Sequence, residues 1–228
     1  MSGVFQVAGW WARDYAYAIG RQLQSFASRV SPDEFLSGTG RPVVVVPGIF
    51  EDWRFMLPLI RSLHQAGHPV HVVTVLQRNR LAVPKAAGLI ADYLRDRDLT
   101  DTLIVAHSKG GLIGKYAMMA LDPERRLVRM VAVASPFSGS RYAGFMLLPS
   151  LRALSPRSAV TVQLSREQRV NERITSIYGL FDPHIPEGSV LSGARNVQLD
   201  TGGHFRILAH EATISAVLAE AAAPDQGA

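Results

Sequence analysis

Three short stretches carry side chains suited to nucleophilic catalysis. In TLIVAHSKGG, from Thr102 to Gly111, an apolar run ends and Ser108 stands between Ala106 and Gly110. A neutral serine hydroxyl is a poor nucleophile, so chemistry at Ser108 requires a general base and a group that orients the base. ITSIYGLFDPHI offers Asp182 directly after a second apolar run, and NVQLDTGGHFRIL offers His204 after a third. In the chain order serine, acid, histidine, Asp182 would hold the imidazole and His204 would take the Ser108 proton. Each has a rival. Asp182 precedes Pro183, a frequent turn starter, and Asp200 is an alternative acid at a strand end, where a bond between loops is less natural. His184 is an alternative base, but so near Asp182 that its ring would scarcely reach both the carboxylate and Ser108.

The surroundings of Ser108 favour the reactive reading. A serine raised on a sharp strand-to-helix turn needs small residues two before and two after it, the pattern G-x-S-x-G. Ala106 and Gly110 meet that need, and Gly111 and Gly114 let the next helix lie close to a sheet. Attack on an ester creates an oxyanion that two preorganised donors must hold. The backbone N–H of Lys109 is one, and the loop VPGIFEDW offers Ile49 or Phe50 for the other. The Lys109 side chain is expected to pair with Glu51 or Asp52 across the cleft, or to sit in solvent. His107 is expected to turn to the opposite side and pack as a structural imidazole. His64, His68 and His71 resemble a metal cluster only in number, because Gly67 and Pro69 break the helix that would align them; no metal is expected.

The elements that must carry these residues alternate along the chain. Pro42 to Val46, Val70 to Val75, Thr102 to Ser108, Val128 to Ser135 and Ile174 to Gly179 read as buried strands, with Asn196 to Asp200 a weaker sixth. Trp53 to Gln65, Lys85 to Asp96, Gly111 to Leu121 and Phe205 to Ala219 have helical spacing. The alternation predicts an α/β fold: a minimal, doubly wound, mostly parallel sheet of about six strands flanked by helices. Ligands on such sheets bind beyond the carboxyl ends of the strands, where Ser108, Asp182 and His204 all fall. Residues 136–173 are too long for an ordinary connection and have two readings, a small lid over the site or one crossover helix with long loops. Phe50, Phe137, Phe145, Met146 and Leu147 are expected to wall an apolar substrate pocket.

Residues 1–40 form an extension ahead of the domain at 41–220, and 221–228 read as a frayed tail. Val4, Val7, Ala8, Trp11, Tyr15, Ala18, Ile19, Leu23, Phe26 and Val30 recur at helical spacing as one apolar stripe, so an amphipathic helix is expected. Two roles are open to it. Packing over the outer sheet is favoured, because few arginines mark the polar face; the other is peripheral membrane contact, with Trp10, Trp11 and Tyr17 at the lipid interface.

The chain has 228 residues, 47% hydrophobic and 19% charged, which suits one globular domain and excludes disorder throughout. Its +5 charge is spread over dispersed arginines, so nucleic acid is not an expected partner. The absence of cysteine excludes a disulfide framework and a thiolate metal site, and leaves the compartment open. Arg13 and Asp14 interrupt the best candidate for a spanning helix, and no leader pattern of basic then apolar residues is read. A cytoplasmic or peripheral membrane setting is favoured on that ground.

With VAHSKGG and the ordered run from ITSIYG to GGHFRIL, the chain resembles the α/β-hydrolases, in particular small bacterial triacylglycerol lipases and carboxylesterases, over 41–219. The resemblance implies a serine hydrolase that cleaves carboxylic esters through an acyl-enzyme on Ser108, without a cofactor, on an acyl ester or lipid substrate. It maps Ser108, Asp182 and His204 onto the triad, and Ile49 or Phe50 with Lys109 onto the oxyanion donors. Three features depart from the pattern: Pro47 in place of a histidine, Lys109 in place of an apolar residue, and the extension. Acyl transfer or thioester cleavage would use the same triad, and a non-catalytic binding module would use the same fold.

Overall fold

The computed structural model describes residues 4–224. Strands β1 (Val43–Val46), β2 (Val70–Val72), β3 (Thr102–His107), β4 (Leu127–Val133), β5 (Ile174–Phe181) and β6 (Arg195–Gly202) form one sheet in the order β2-β1-β3-β4-β5-β6. Every neighbouring pair is parallel, so the sheet is wholly rather than mostly parallel. β1 and β3 are buried at every position, because helices cover both faces, and they read as continuous apolar runs for that reason. β6 lies at an edge with several exposed residues, which explains its weaker signal.

Among the described residues, seven helices surround the sheet: α1 (Val4–Ala27), α2 (Leu57–Gln65), α3 (Val83–Asp96), α4 (Lys109–Ala120), α5 (Pro149–Arg152), α6 (Ala159–Arg166) and α7 (Glu211–Ala222). Side chains alternate across the pleat, and the core divides accordingly. Val44, Val46, Ile104 and Ala106 pack with Ile90 of α3 and Ile113 of α4, whereas Val43, Val45, Leu103 and Val105 pack with Ile60 of α2 and Val217 of α7. The strand expected to reach Val75 stops at Val72, and Thr74–Leu76 forms a 3₁₀ turn. The helix expected from Trp53 begins as a 3₁₀ turn capped by Asp52, then becomes α helical with Pro58 in its first turn.

Residues 136–173 hold short helical turns and one longer helix. The 3₁₀ turn Arg141–Phe145 and α5 lie beside the strand ends, while α6 packs on α4 as a crossover helix. The tail is more ordered than expected at its start: α7 runs to Ala222 and the Ala223 carbonyl accepts from Arg41 Nη1 at 2.7 Å. The rest of that expected tail, 225–228, lies outside the described residues.

The extension forms the expected helix, but docks a different face. Trp10, Asp14 and Ser25 are buried, with Tyr17 and Arg21 half-buried between them, and this row lies beside the apolar stripe rather than on it. Trp10 is 8% exposed and lies over Gly202; Trp11 is 50% exposed. Tyr17 packs edge-on against Phe55, and Arg21 Nη2 donates to the Arg54 carbonyl at 2.7 Å. The lipid-facing positions expected for Trp10 and Tyr17 are therefore corrected, while Ile19, Leu23 and Phe26 remain exposed. No described helix is long and apolar enough to cross a membrane.

Candidate active site

Ser108 links β3 to α4 with φ 52° and ψ −122°, a left-handed conformation that costs a non-glycine residue energy. The centre of the sheet holds it there. The Ser108 N–H donates to the Val133 carbonyl at 2.9 Å, and Gly111 N–H closes the turn on the Ser108 carbonyl at 3.0 Å. A Cβ at Gly110 would lie 2.2 Å from the Val46 carbonyl oxygen, so the position two after the serine admits no side chain. Ala106, two before it, is fully buried in β3.

The histidine arrives from the sheet edge. Gly203, at φ 121°, donates its N–H to the Phe181 carbonyl at 2.8 Å and turns the chain back after β6. His204 Nε2 then lies 2.9 Å from Ser108 Oγ, and Nδ1 lies 2.7 Å from Asp182 Oδ2. With Nδ1–H donating to the carboxylate, Nε2 is left to accept the serine proton. The other oxygen of Asp182 accepts the N–H groups of His184 at 2.8 Å and Ile185 at 3.1 Å. The Asp-Pro turn and the orienting acid are thus one feature, since the turn aims the carboxylate. Asp200 is exposed on β6. His184 Nε2 meets the Tyr15 hydroxyl at 3.1 Å instead of the serine.

Charge around the imidazole matches this geometry. Burial pushes the His204 pKa down, but the charge and hydrogen bond of Asp182, helped by Glu51 and Asp14, hold it above the ordinary imidazole value. Burial likewise works to raise Asp182, and His204 with the His184 N–H outweighs it, leaving the carboxylate below its usual range. His184 is pushed down to about 4, first by burial and then by His204, so it is neutral at pH 7.

The loop after β1 corrects two expectations. Phe50, at φ 64°, donates its N–H to the Arg78 carbonyl at 2.8 Å, so it is not free to serve an oxyanion. Ile49 lines the cleft beside Ser108. The Lys109 side chain pairs with neither Glu51 nor Asp52. It is buried along α4, and its Nζ donates to the carbonyls of Asn79 at 2.9 Å and Leu81 at 2.5 Å. Burial lowers its pKa to about 8. Asn79 in turn donates Nδ2 to the Pro47 carbonyl at 2.6 Å, so residues 78–81 brace the 47–50 loop from outside.

Glu51 has other partners. It accepts from Gly48 N–H at 2.7 Å and contacts His107 Nδ1 at 2.9 Å, while His107 Nε2 meets the His204 carbonyl at 2.9 Å. His107 is a buried structural imidazole, but it faces the histidine loop and ties it to the loop after β1. Asp14, fully buried on α1, accepts the N–H groups of His204, Phe205 and Arg206, each at 2.8 Å. Asn79 and Asp14 carry no local signature in the sequence, because each acts on a segment distant along the chain.

A cleft of about 740 Å³ opens above Ser108 and His204. Phe50 and Met146 line it as expected, together with Ile49, Leu151, Leu154 and Phe205. Phe137 does not: the tight turn that bonds its N–H to the Ser135 carbonyl sends the ring into the core. Phe145 and Leu147, 86% and 95% exposed, lie on the outer side of their turn. Tyr15, Ala18, Ile19 and Gln22 of α1 form a wall that the expected packing over the outer sheet did not anticipate.

Neither a family model nor a curated protein significantly matches the chain. Solved structures do. The mature lipase BlEst2 of Bacillus licheniformis is similar with a TM-score of 0.64 at 14% identity, over 81% of this chain and 93% of that one. Lipase B of Aspergillus fumigatus gives 0.64 at 16% identity over 82% of this chain and 54% of its own. Monoacylglycerol lipase of Paleococcus ferrophilus gives 0.56 at 16% identity, covering 81% and 97% respectively. The parallel sheet order, the serine turn at its centre and these similarities agree on one architecture: the chain has the α/β-hydrolase fold.

Proposed function

We propose that the chain is a serine hydrolase that cleaves carboxylic esters through an acyl-enzyme on Ser108. The observation that carries this reading is the relay from Ser108 Oγ through His204 to Asp182, at 2.9 and 2.7 Å, set at the floor of an apolar cleft. His204 takes the Ser108 proton as the oxygen attacks the ester carbonyl, and Asp182 stabilises the imidazolium that forms. The N–H groups of Ile49 and Lys109 serve the oxyanion. His204 then protonates the leaving alcohol, and a water deprotonated by the same imidazole releases the acid. No cofactor enters these steps. Labelling by a fluorophosphonate, followed by hydrolysis of p-nitrophenyl esters of increasing chain length, tests the proposal. Ser108→Ala should abolish both signals; a wild-type chain that neither labels nor turns over any ester points to a binding module instead. An acyl acceptor series with alcohols and thioesters separates hydrolysis from transfer.

The rim of the cleft supports action at a lipid surface. Trp11, Ile19, Leu23 and Phe26 on α1 and Tyr142, Phe145, Met146, Leu147 and Leu148 after β4 are exposed apolar side chains, and Ile19, Tyr142 and Met146 among them line the cleft. Such a surface is unusual unless something apolar covers it. Co-flotation with phospholipid vesicles should be lost in a Phe145→Ser, Leu147→Ser double variant; equal flotation removes this part of the reading.

A further inference from the structure

The extension does more than wall the cleft. Asp14 is fully buried, yet the partners around it are backbone groups rather than a cation: His204 N–H on Oδ2, with Phe205 and Arg206 N–H on Oδ1, all at 2.8 Å. Burying a carboxylate is costly unless donors replace its water, and three convergent N–H groups do so here. The loop is shaped to receive it. Gly203 sits at φ 121° and a Cβ there would lie 2.5 Å from Asp14 Oδ1, so the loop and carboxylate fit only without a side chain. Trp10, one turn away, lies over Gly202 and fixes the helix against the same strand end. The first contact of Asp14 is to the backbone of His204 itself, 190 positions later in the chain.

We propose that Asp14 is a positioning residue that clamps the loop bearing His204, so that docking of α1 completes the site. This rests on reading His204 as the general base. Because α1 also contributes Tyr15, Ala18 and Ile19 to the cleft wall, one helix both shapes the substrate space and sets the imidazole. A rigid clamp matters because a displacement of about 1 Å at a reacting group can cost roughly 100-fold in rate.

The clamp also places a negative charge beside the imidazole. The groups facing His204 are Asp182 and His184 from the connection after β5, Glu51 from the loop after β1, His107 at the end of β3, Ser108 at the turn, and Tyr15 and Asp14 from α1. Asp14 is among the charges that raise the His204 pKa. Its removal should therefore move the acid limb of activity to lower pH, which a purely steric support would not do.

The test uses the full chain with Asp14→Asn, which keeps size but removes the charge and one acceptor, and Gly203→Ala, which pushes the loop off the clamp. For folded Asp14→Asn, kcat on a p-nitrophenyl ester should fall about 10- to 100-fold with KM nearly constant. The NMR titration midpoint of the His204 ring should fall, and the amides of 204–206 should exchange faster than in wild type. Gly203→Ala should reproduce the faster exchange and the loss in kcat. A folded Asp14→Asn with unchanged kcat, midpoint and exchange overturns the proposal. If Asp14→Asn does not fold, wild-type exchange decides: amides 204–206 as slow as those of β5 support the clamp, and rapid exchange overturns it. If Ser108 neither labels nor hydrolyses esters in wild type, the reading of the reaction fails, while ring titration and exchange still judge the clamp.

Discussion

Ser108 and His204 stand 2.9 Å apart, yet different parts of the molecule hold them. Ser108 rises from the middle of the sheet, where the Val133 carbonyl fixes its N–H and the Val46 carbonyl crowds Gly110. Val46 and Val133 are both fully buried. His204 follows the edge strand β6, which has a sheet partner on one side only, and its backbone is secured by Asp14 from the extension and by His107 from β3. The contrast shows that one cleft can join a serine locked by the core with an imidazole held by a strap. Local opening should therefore begin on the histidine side.

The largest effect expected is Ser108→Ala, which should lower kcat by about four to six orders of magnitude with the melting temperature unchanged, checked by ester kinetics and calorimetry. Retained turnover would break the comparison at its root. Next, Trp10→Ala should cost about 3 to 5 kcal/mol of α1 docking. Amide exchange should then rise in α1 and at 204–206 while β1, β3 and β4 stay protected; a uniform rise would mean that the edge and centre are one unit. Gly110→Ala should act in the opposite manner, destabilising the whole fold by roughly 1 to 3 kcal/mol in denaturant titration through the clash with Val46.

The pH profile sharpens the same contrast. In the proposed mechanism His204 must be neutral to act, and its pKa is raised, so activity should rise with pH through a midpoint above the ordinary imidazole value near 6.5. Stability runs the other way for this group. A raised folded-state pKa contributes stability that is complete below the unfolded value and is lost as pH rises through the folded one. A kinetic limb at or below about 6.5 would mean that the carboxylates do not reach the imidazole. Smallest of all, Leu147→Ser on the exposed rim should change stability by no more than about 0.5 kcal/mol in thermal denaturation.

Much of this is legible in the sequence. The burial of β1 and β3 on both faces wrote itself as apolar runs, and the constraint around Ser108 is local enough to appear as Ala106 and Gly110. Asp182 and His204 were accessible for a similar reason, since each follows directly on the end of a strand. Of the expected wall residues, Phe50 and Met146 do line the cleft, whereas the others do not. Phe137, Phe145 and Leu147 are apolar and near the site in sequence, but a turn of one or two residues decides whether such a side chain faces core, cleft or solvent. Lys109 was misplaced because a buried ammonium can be satisfied by carbonyls, and no pattern announces carbonyls.

The extension marks the boundary most clearly. Hydrophobic periodicity alone determined that it is a helix and which stripe is most apolar. Which face docks was decided by tertiary partners: a carboxylate buried against three N–H groups, a guanidinium at a carbonyl, and a tryptophan on a glycine. Local sequence can encode strand, turn and helix because their constraints act between near neighbours. The union of Asp14 with His204 depends on chain segments that meet only after the sheet has formed, so only the folded structure could show it.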